Sequence, residues 1–198
     1  MKNKVIAIGR LINIYKKGDG SLKLKVLILR SGHKDAYVNF IYEGELEDDI
    51  KLDRIISIEG KVCGYSYHRE DDGLLVERRF LKADKISIAE GPMKKFFGIP
   101  DHFPPEHNLK IYLEGVVNEL EEAGEDAKRI FLKENDEKGD SYRVALKLFK
   151  HPMIEEDYEL LSVGQTLACH LDVQTVKMVI DDEEKMYEYL MVEDFSIE

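Results

Sequence analysis

Tryptophan is absent from the 198 residues, and cysteine occurs only twice. Any ring stacking therefore falls to tyrosine, phenylalanine and histidine. Cys63 and Cys169 lie far apart, with no partner cysteine at ligand spacing, so two reduced, buried thiols are expected. No apolar run approaches the roughly 18–20 residues that span a bilayer. Met1-Lys2-Asn3-Lys4-Val5 leads straight into a strand-like pattern without an apolar signal region. A cytoplasmic protein with no membrane partner is expected. No Walker loop, Gly-x-Ser-x-Gly elbow, His-Glu-x-x-His or Cys-x-x-Cys occurs. The six histidines are scattered. The carboxylate clusters at Asp48-Asp49, Glu121-Glu122 and Asp181 to Glu184 fall at turns or helices, where they are solvated. The expectation is a protein that is not an enzyme and uses no metal and no cofactor.

Proline is also scarce, and its placement is informative. Of five prolines, Pro92, Pro100, Pro104 and Pro105 fall within residues 91–107, among Phe96, Phe97 and Phe103. Proline at this density breaks helix and central strand alike, so the stretch reads as a connector between domains spanning 1–90 and 108–198. Charge divides at the same place. Residues 1–90 hold 17 basic and 15 acidic side chains, a net of +2; residues 108–198 hold 10 and 23, a net of −13. The overall −11 belongs almost wholly to the second half. Such asymmetry points to halves with different partners.

Within the first half, strand patterns dominate. They run from Val5 to Tyr15, Leu22 to Val26, Ala36 to Tyr42, Arg54 to His68 and Leu74 to Ile88. Gly18-Asp19-Gly20-Ser21, Gly32-His33-Lys34 and Glu70-Asp71-Asp72-Gly73 supply turns, and Glu45 to Leu52 reads as a short helix. Five strands with a helix between the third and fourth is the order of the oligonucleotide-binding (OB) barrel. The second half repeats this weakly. Ile111 to Val117 echoes Val5 to Leu11 at an offset of 106; Asp181 and Asp194 echo Asp71 and Asp84 at 110. Glu155 to Leu161 would be the second helix. The expected class is all-β: two tandem five-stranded OB barrels, each with a short helix between strands 3 and 4.

Ligand-facing residues follow from alternation. Tyr65 and Tyr67, two apart on one strand, share a face, and His68, Arg69, Arg78 and Arg79 flank the same hairpin. Tyr37 and Asn39 share one face of the third strand, while Val38 and Phe40 read as core. Lys23 and Lys25 point outward from the second strand. Stacking rings beside cations suit single-stranded nucleic acid. The same residues also suit an ordinary solvated sheet face. At an offset of 110, Tyr65, Tyr67 and Arg78 become Thr175, Lys177 and Glu188 in the second copy, which predicts that stacking is lost there. Tyr142 and Tyr187 are its alternative platforms.

As an ordered set, Asn3-Lys4-Val5-Ile6-Ala7-Ile8-Gly9-Arg10-Leu11, Tyr37-Val38-Asn39, Gly60-Lys61-Val62 with Tyr67, and Ala83-Asp84 resemble the bacterial single-stranded-DNA-binding protein family. The resemblance covers residues 3–90; residues 108–198 share it through the internal repeat alone. It implies non-catalytic binding of single-stranded DNA in replication, recombination or repair, with RNA the other strand left open. It also implies four OB domains per assembly, which two chains would supply as a homodimer. The family's acidic tail has no counterpart after Ile197-Glu198, so recruitment of partners by that route is not expected. The competing expectation is an OB-type interaction or assembly module without nucleic-acid affinity.

Overall fold

Alternating branched and polar residues become strand almost everywhere they occur. A computed structural model describes residues 2–28, 36–71, 73, 75–89, 108–135, 141–180 and 183–198. The described chain is nearly all β. Its strands are β1 (Asn3–Lys16), β2 (Leu22–Ile28), β3 (Ala36–Tyr42), β4 (Ile55–His68), β5 (Leu75–Ile88), β6 (Leu109–Glu122), β7 (Ala127–Asn135), β8 (Ser141–Phe149), β9 (Thr166–Ile180) and β10 (Glu183–Ile197). One short helix, α1 (Glu155–Leu160), follows a 3₁₀ turn at Pro152–Ile154. The turn at Gly32-His33-Lys34, the hairpin tip at Asp181-Asp182 and the connector 91–107 lie outside the described residues.

The chain divides into two compact units. The first holds residues 4–62 and 80–111; the second holds 1–3, 63–79 and 112–198. In the first unit β1 pairs with β2 and β4, β2 with β3, and β3 runs parallel to β5, which neighbours β4. The circuit β1-β2-β3-β5-β4 closes on itself through the short parallel pairing of β3 with β5. Its interior is filled by Val5, Ala7, Leu24, Val26, Val38, Phe40, Ile56 and Ile58, each fully or almost fully buried. The second unit repeats the circuit as β6-β7-β8-β10-β9, closed by β6 against β9. Ile111, Leu113, Ile130, Leu132, Val144, Leu146 and Leu148 fill it.

Strand β6 matches β1 in length and, at all but one position, in burial pattern. Both carry a bulge at the same point, between Leu11 and Asn13 in β1 and between Val117 and Glu119 in β6. The repeat is less even at the last strand. Phe40 pairs with Leu81 and Leu146 with Leu190, an offset of 109 from Leu81 to Leu190. The last strand of the second unit carries a bulge between Val192 and Asp194. Upstream of that bulge Arg78 therefore matches Tyr187, not Glu188.

The expected helix over 45–52 does not form; the segment is turns. Eight residues are marginal for an isolated helix, and Glu45, Glu47, Asp48 and Asp49 crowd like charge into it. Instead Ile50 N–H donates to Glu47 O, Ile50 is buried, and two backbone bonds pin the exit: Asp53 N–H to Leu11 O at 2.8 Å and Leu11 N–H to Arg54 O at 2.9 Å. Asp53 sits at φ 64°, which ends any helical continuation. The second copy does form its helix, over 155–160. Glu155, Glu156 and Asp157 fill its first turn, where the helix dipole favours acids, and Tyr158 is buried. Lys150, just after β8, holds it through Glu155 and Glu159, at 3.2 and 2.7 Å.

Two glycines mark close backbone approaches. A Cβ at Gly60 would land on the carbonyl oxygen of Lys82, and one at Gly64 would lie 2.5 Å from the Tyr142 ring. Neither Cys63 nor Cys169 is in a disulfide. Cys169 is buried and donates to Leu113 O at 3.4 Å, and burial pushes its thiol up to about 12.

Candidate nucleic-acid interface

In the first unit the β2–β3 register decides which side chains meet. Leu24 opposes Phe40 and Val26 opposes Val38, and all four are buried. Their neighbours must then point outward. Lys25 opposes Asn39, Leu27 opposes Tyr37, and Lys23 opposes Ile41. Tyr37 is half exposed, and the Lys25 ammonium lies over its ring, 4.7 Å from the centroid. Four of the expected residues, Lys23, Lys25, Tyr37 and Asn39, thus share one face.

The β1 bulge adds residues that alternation hides. Arg10 and Tyr15 are five apart, so a regular strand would send them to opposite faces. With the extra residue at Leu11/Asn13, Arg10 opposes Leu27, Asn13 opposes Lys25 and Tyr15 opposes Lys23. All three join the Tyr37 face, and Tyr15 is half exposed. A signal was present in Asn13: its side-chain oxygen accepts the N–H of Ile14 at 2.8 Å, the local bond by which short polar side chains support irregular backbone. No acidic residue stands at the outward positions of β2, β3 or the bulged part of β1 among the described residues. At the β1–β2 turn, Asp19 is held by Ser21 and Lys17, which keep its carboxyl down at about 2.

The other expected residues belong to the second unit, on the outer part of the β4–β5 hairpin. Tyr65 and Tyr67 are each about half exposed and stack on one another, centroids 6.0 Å apart and planes 23° from parallel. His68 Nδ1 lies 3.1 Å from Gly73 O, and Arg69 pairs with Asp71 at 3.1 Å, so both help close the hairpin. Arg78 is exposed. Arg79 is not: its guanidinium donates to Ala145 O at 3.2 Å and to Glu188 O. It ties β8 to β10 just beyond their two paired registers. Burial lowers its pKa from the ordinary guanidinium value, and the Glu188 carboxylate opposes that shift. Of the alternative platforms, Tyr142 is buried in the core, and the side chain of Tyr187 lies outside the described ones. Among the described residues no three His, Cys, Asp or Glu are grouped to hold a metal, and no helix is long and apolar enough to cross a membrane.

No protein-family model matches this chain, and no curated protein matches it. Solved structures do. The wild-type single-stranded DNA binding protein from Thermus aquaticus is similar with a TM-score of 0.63 at 13% identity, over 98% of this chain and 92% of that one. A deletion mutant of the same protein gives 0.62 at 16% identity, over 98% and 93%. At such identities the likeness is one of fold, and over nearly its whole length this chain shares the fold of that Thermus protein.

Proposed function

We propose that this protein binds single-stranded DNA without catalysis, as a tandem of OB barrels over 1–90 and 108–198 joined by the 91–107 connector. The first barrel is the main binder, and the role is in replication, recombination or repair. The observation that carries this is the outer face of the first barrel. Tyr15 and Tyr37 offer half-exposed rings beside Arg10, Lys23 and Lys25, with no carboxylate among them. Rings take bases and cations take phosphates, which is how unpaired strands are held without sequence preference. The stacked Tyr65–Tyr67 pair, with Arg78, is a further contact surface for the strand. The fold shared with the Thermus aquaticus protein supports the same reading.

Titration of fluorescent oligo-dT at two salt concentrations tests it. Neutralising about four to six phosphates gives a log–log salt slope of about −3 to −4, and duplex of equal length should bind far more weakly. Absence of binding at low salt would sink the proposal and favour the interaction-module alternative. Oligo-U in competition separates RNA from DNA. We also assign the protein a homodimeric state, which would bring four barrels together and is the commonest closed symmetry. Light scattering should return about twice the chain mass at micromolar concentration; one chain mass throughout would contradict the assignment.

A further inference from the structure

The second half of the chain is strongly acidic, yet its charges are not spread evenly. Of its ten basic residues, Arg129, Lys133, Arg143 and Lys147 stand on one face, the outward side of β7 and β8. The register fixes this: Ile130 opposes Leu146 and Leu132 opposes Val144, all buried, so Arg129 opposite Lys147 and Lys133 opposite Arg143 point away from the core. Rings accompany the cations. Phe131 is buried beneath Arg143, which lies 4.6 Å over its ring; Phe149 is exposed, and Lys147 lies 4.7 Å from its ring and 5.6 Å from that of Tyr189. This is the same pairing of cation and ring as Lys25 over Tyr37 in the first barrel.

The difference lies on the bulged strand. The β6 bulge turns Glu119 and Glu121 outward, at the positions Asn13 and Tyr15 occupy in β1. Each takes one arginine: Glu121 pairs with Arg129 at 3.1 Å, and Glu119 pairs with Arg143. Both pairs are partly exposed to solvent, so an incoming anion can compete for the arginines.

We propose that the β7–β8 face is a second single-strand-binding surface, closed in the resting protein because Glu119 and Glu121 hold Arg143 and Arg129 as a strand's phosphates would. The proposal rests on the reading above only in sharing its ligand. It accounts for a basic, ring-bearing face within an acidic half.

Oligo-dT titrations of the full chain test it by removing the two carboxylates without changing side-chain shape. In E119Q/E121Q, two arginines become available for phosphate. The salt slope should steepen by about 1.4, and affinity at low salt should rise by roughly tenfold. The length of strand occluded per chain should increase as well. Adding R129Q/R143Q to that variant should return slope and affinity to the wild-type values. E125Q/E156Q removes equal charge from exposed positions elsewhere in the same unit and should leave the slope unchanged. An equal gain in E125Q/E156Q, or no gain in E119Q/E121Q, overturns the proposal. If E119Q/E121Q fails to fold, Glu121→Gln alone should give half the change in slope, and no change there overturns it too. Wild-type binding reports on the first barrel separately. Binding by E119Q/E121Q but not by the wild type would refute the first-barrel reading and sustain this one; binding by neither refutes both.

Discussion

Replacing Tyr37 or Tyr15 by alanine should weaken oligo-dT binding by about 1–3 kcal/mol, roughly 5- to 150-fold, while leaving the melting temperature within a few degrees of wild type. Both rings are half exposed, so truncation opens no core cavity. Tyr37 carries the Lys25 ammonium on its ring, and its loss also frees that lysine to move. The two positions stand on strands that both flank β2, with Lys23 and Lys25 on the strand between them. A strand crossing the face would therefore meet rings with cations between them. The double substitution should cost close to the sum if each ring holds a different base, and less if both hold one. Tyr67→Ala on the hairpin belongs to the same series, with the same expected range. Because Tyr65 stacks on Tyr67, removing Tyr67 also exposes Tyr65, which softens the loss. Unchanged affinity in Tyr15→Ala and Tyr37→Ala, with folding intact by circular dichroism, would remove this face as the binding surface.

How far the sequence discloses this interface depends on where strands are regular. Lys23, Lys25, Tyr37 and Asn39 lie on β2 and β3, whose two-residue period runs unbroken, and alternation alone puts them together. Tyr65 and Tyr67 are legible for the same reason. Arg10 and Tyr15 are not, because one bulge residue inverts the parity of half a strand, and apolar patterning around Ile12 and Ile14 gives no sign of it. Arg79 reads as a ligand cation by its type and its hairpin position. Its observed bonds are a tertiary fact that the sequence does not show: the guanidinium donates to one backbone carbonyl of β8 and one of β10 where those strands part.

The helices show a second limit. Glu45 to Leu52 and Glu155 to Leu160 look alike as short acidic, helix-compatible runs. Only the second has three of its four acids in the first turn, with Tyr158 and Leu161 to bury and Lys150 to hold Glu155 and Glu159. The first is captured by the Leu11 backbone through Asp53 and Arg54, a bond that no local pattern announces. Charge by halves is likewise coarser than charge by face. The net of −13 is a sum, while binding is decided on a face, and on β7–β8 the basic residues outnumber the acidic.

Gly60→Ala should have the largest effect among alanine substitutions at Gly18, Gly60 and Gly73. Gly60 lies on β4 opposite Val5 of β1, and the added Cβ would fall on the Lys82 carbonyl oxygen of β5, with Ala83 Cα 3.1 Å away. Both obstacles are backbone, so no rotamer change can make room. Strand β5 would have to move, and β5 is fixed by its parallel pairing of Lys82 with Ile41 and Ala83 with Tyr42. Overpacking commonly costs about 1–3 kcal/mol where side chains can yield; here the upper end, about 3 kcal/mol, is expected. For a barrel of this size that corresponds to a fall of about 12–24 °C in the first barrel's thermal transition. Gly18→Ala is the matched control, since nothing lies within 4 Å of its added methyl and its φ is not in the left-handed range; it should melt with the wild type. Gly73→Ala separates space from backbone conformation: its methyl also meets nothing, but its φ of 70° should cost about 1–2 kcal/mol. Thermal melts followed by circular dichroism rank the three. A Gly60→Ala protein that melts within about 3 °C of wild type would mean that β4 and β5 do not approach as closely as the Lys82 carbonyl requires, and the packing assigned to this crossing would have to be abandoned.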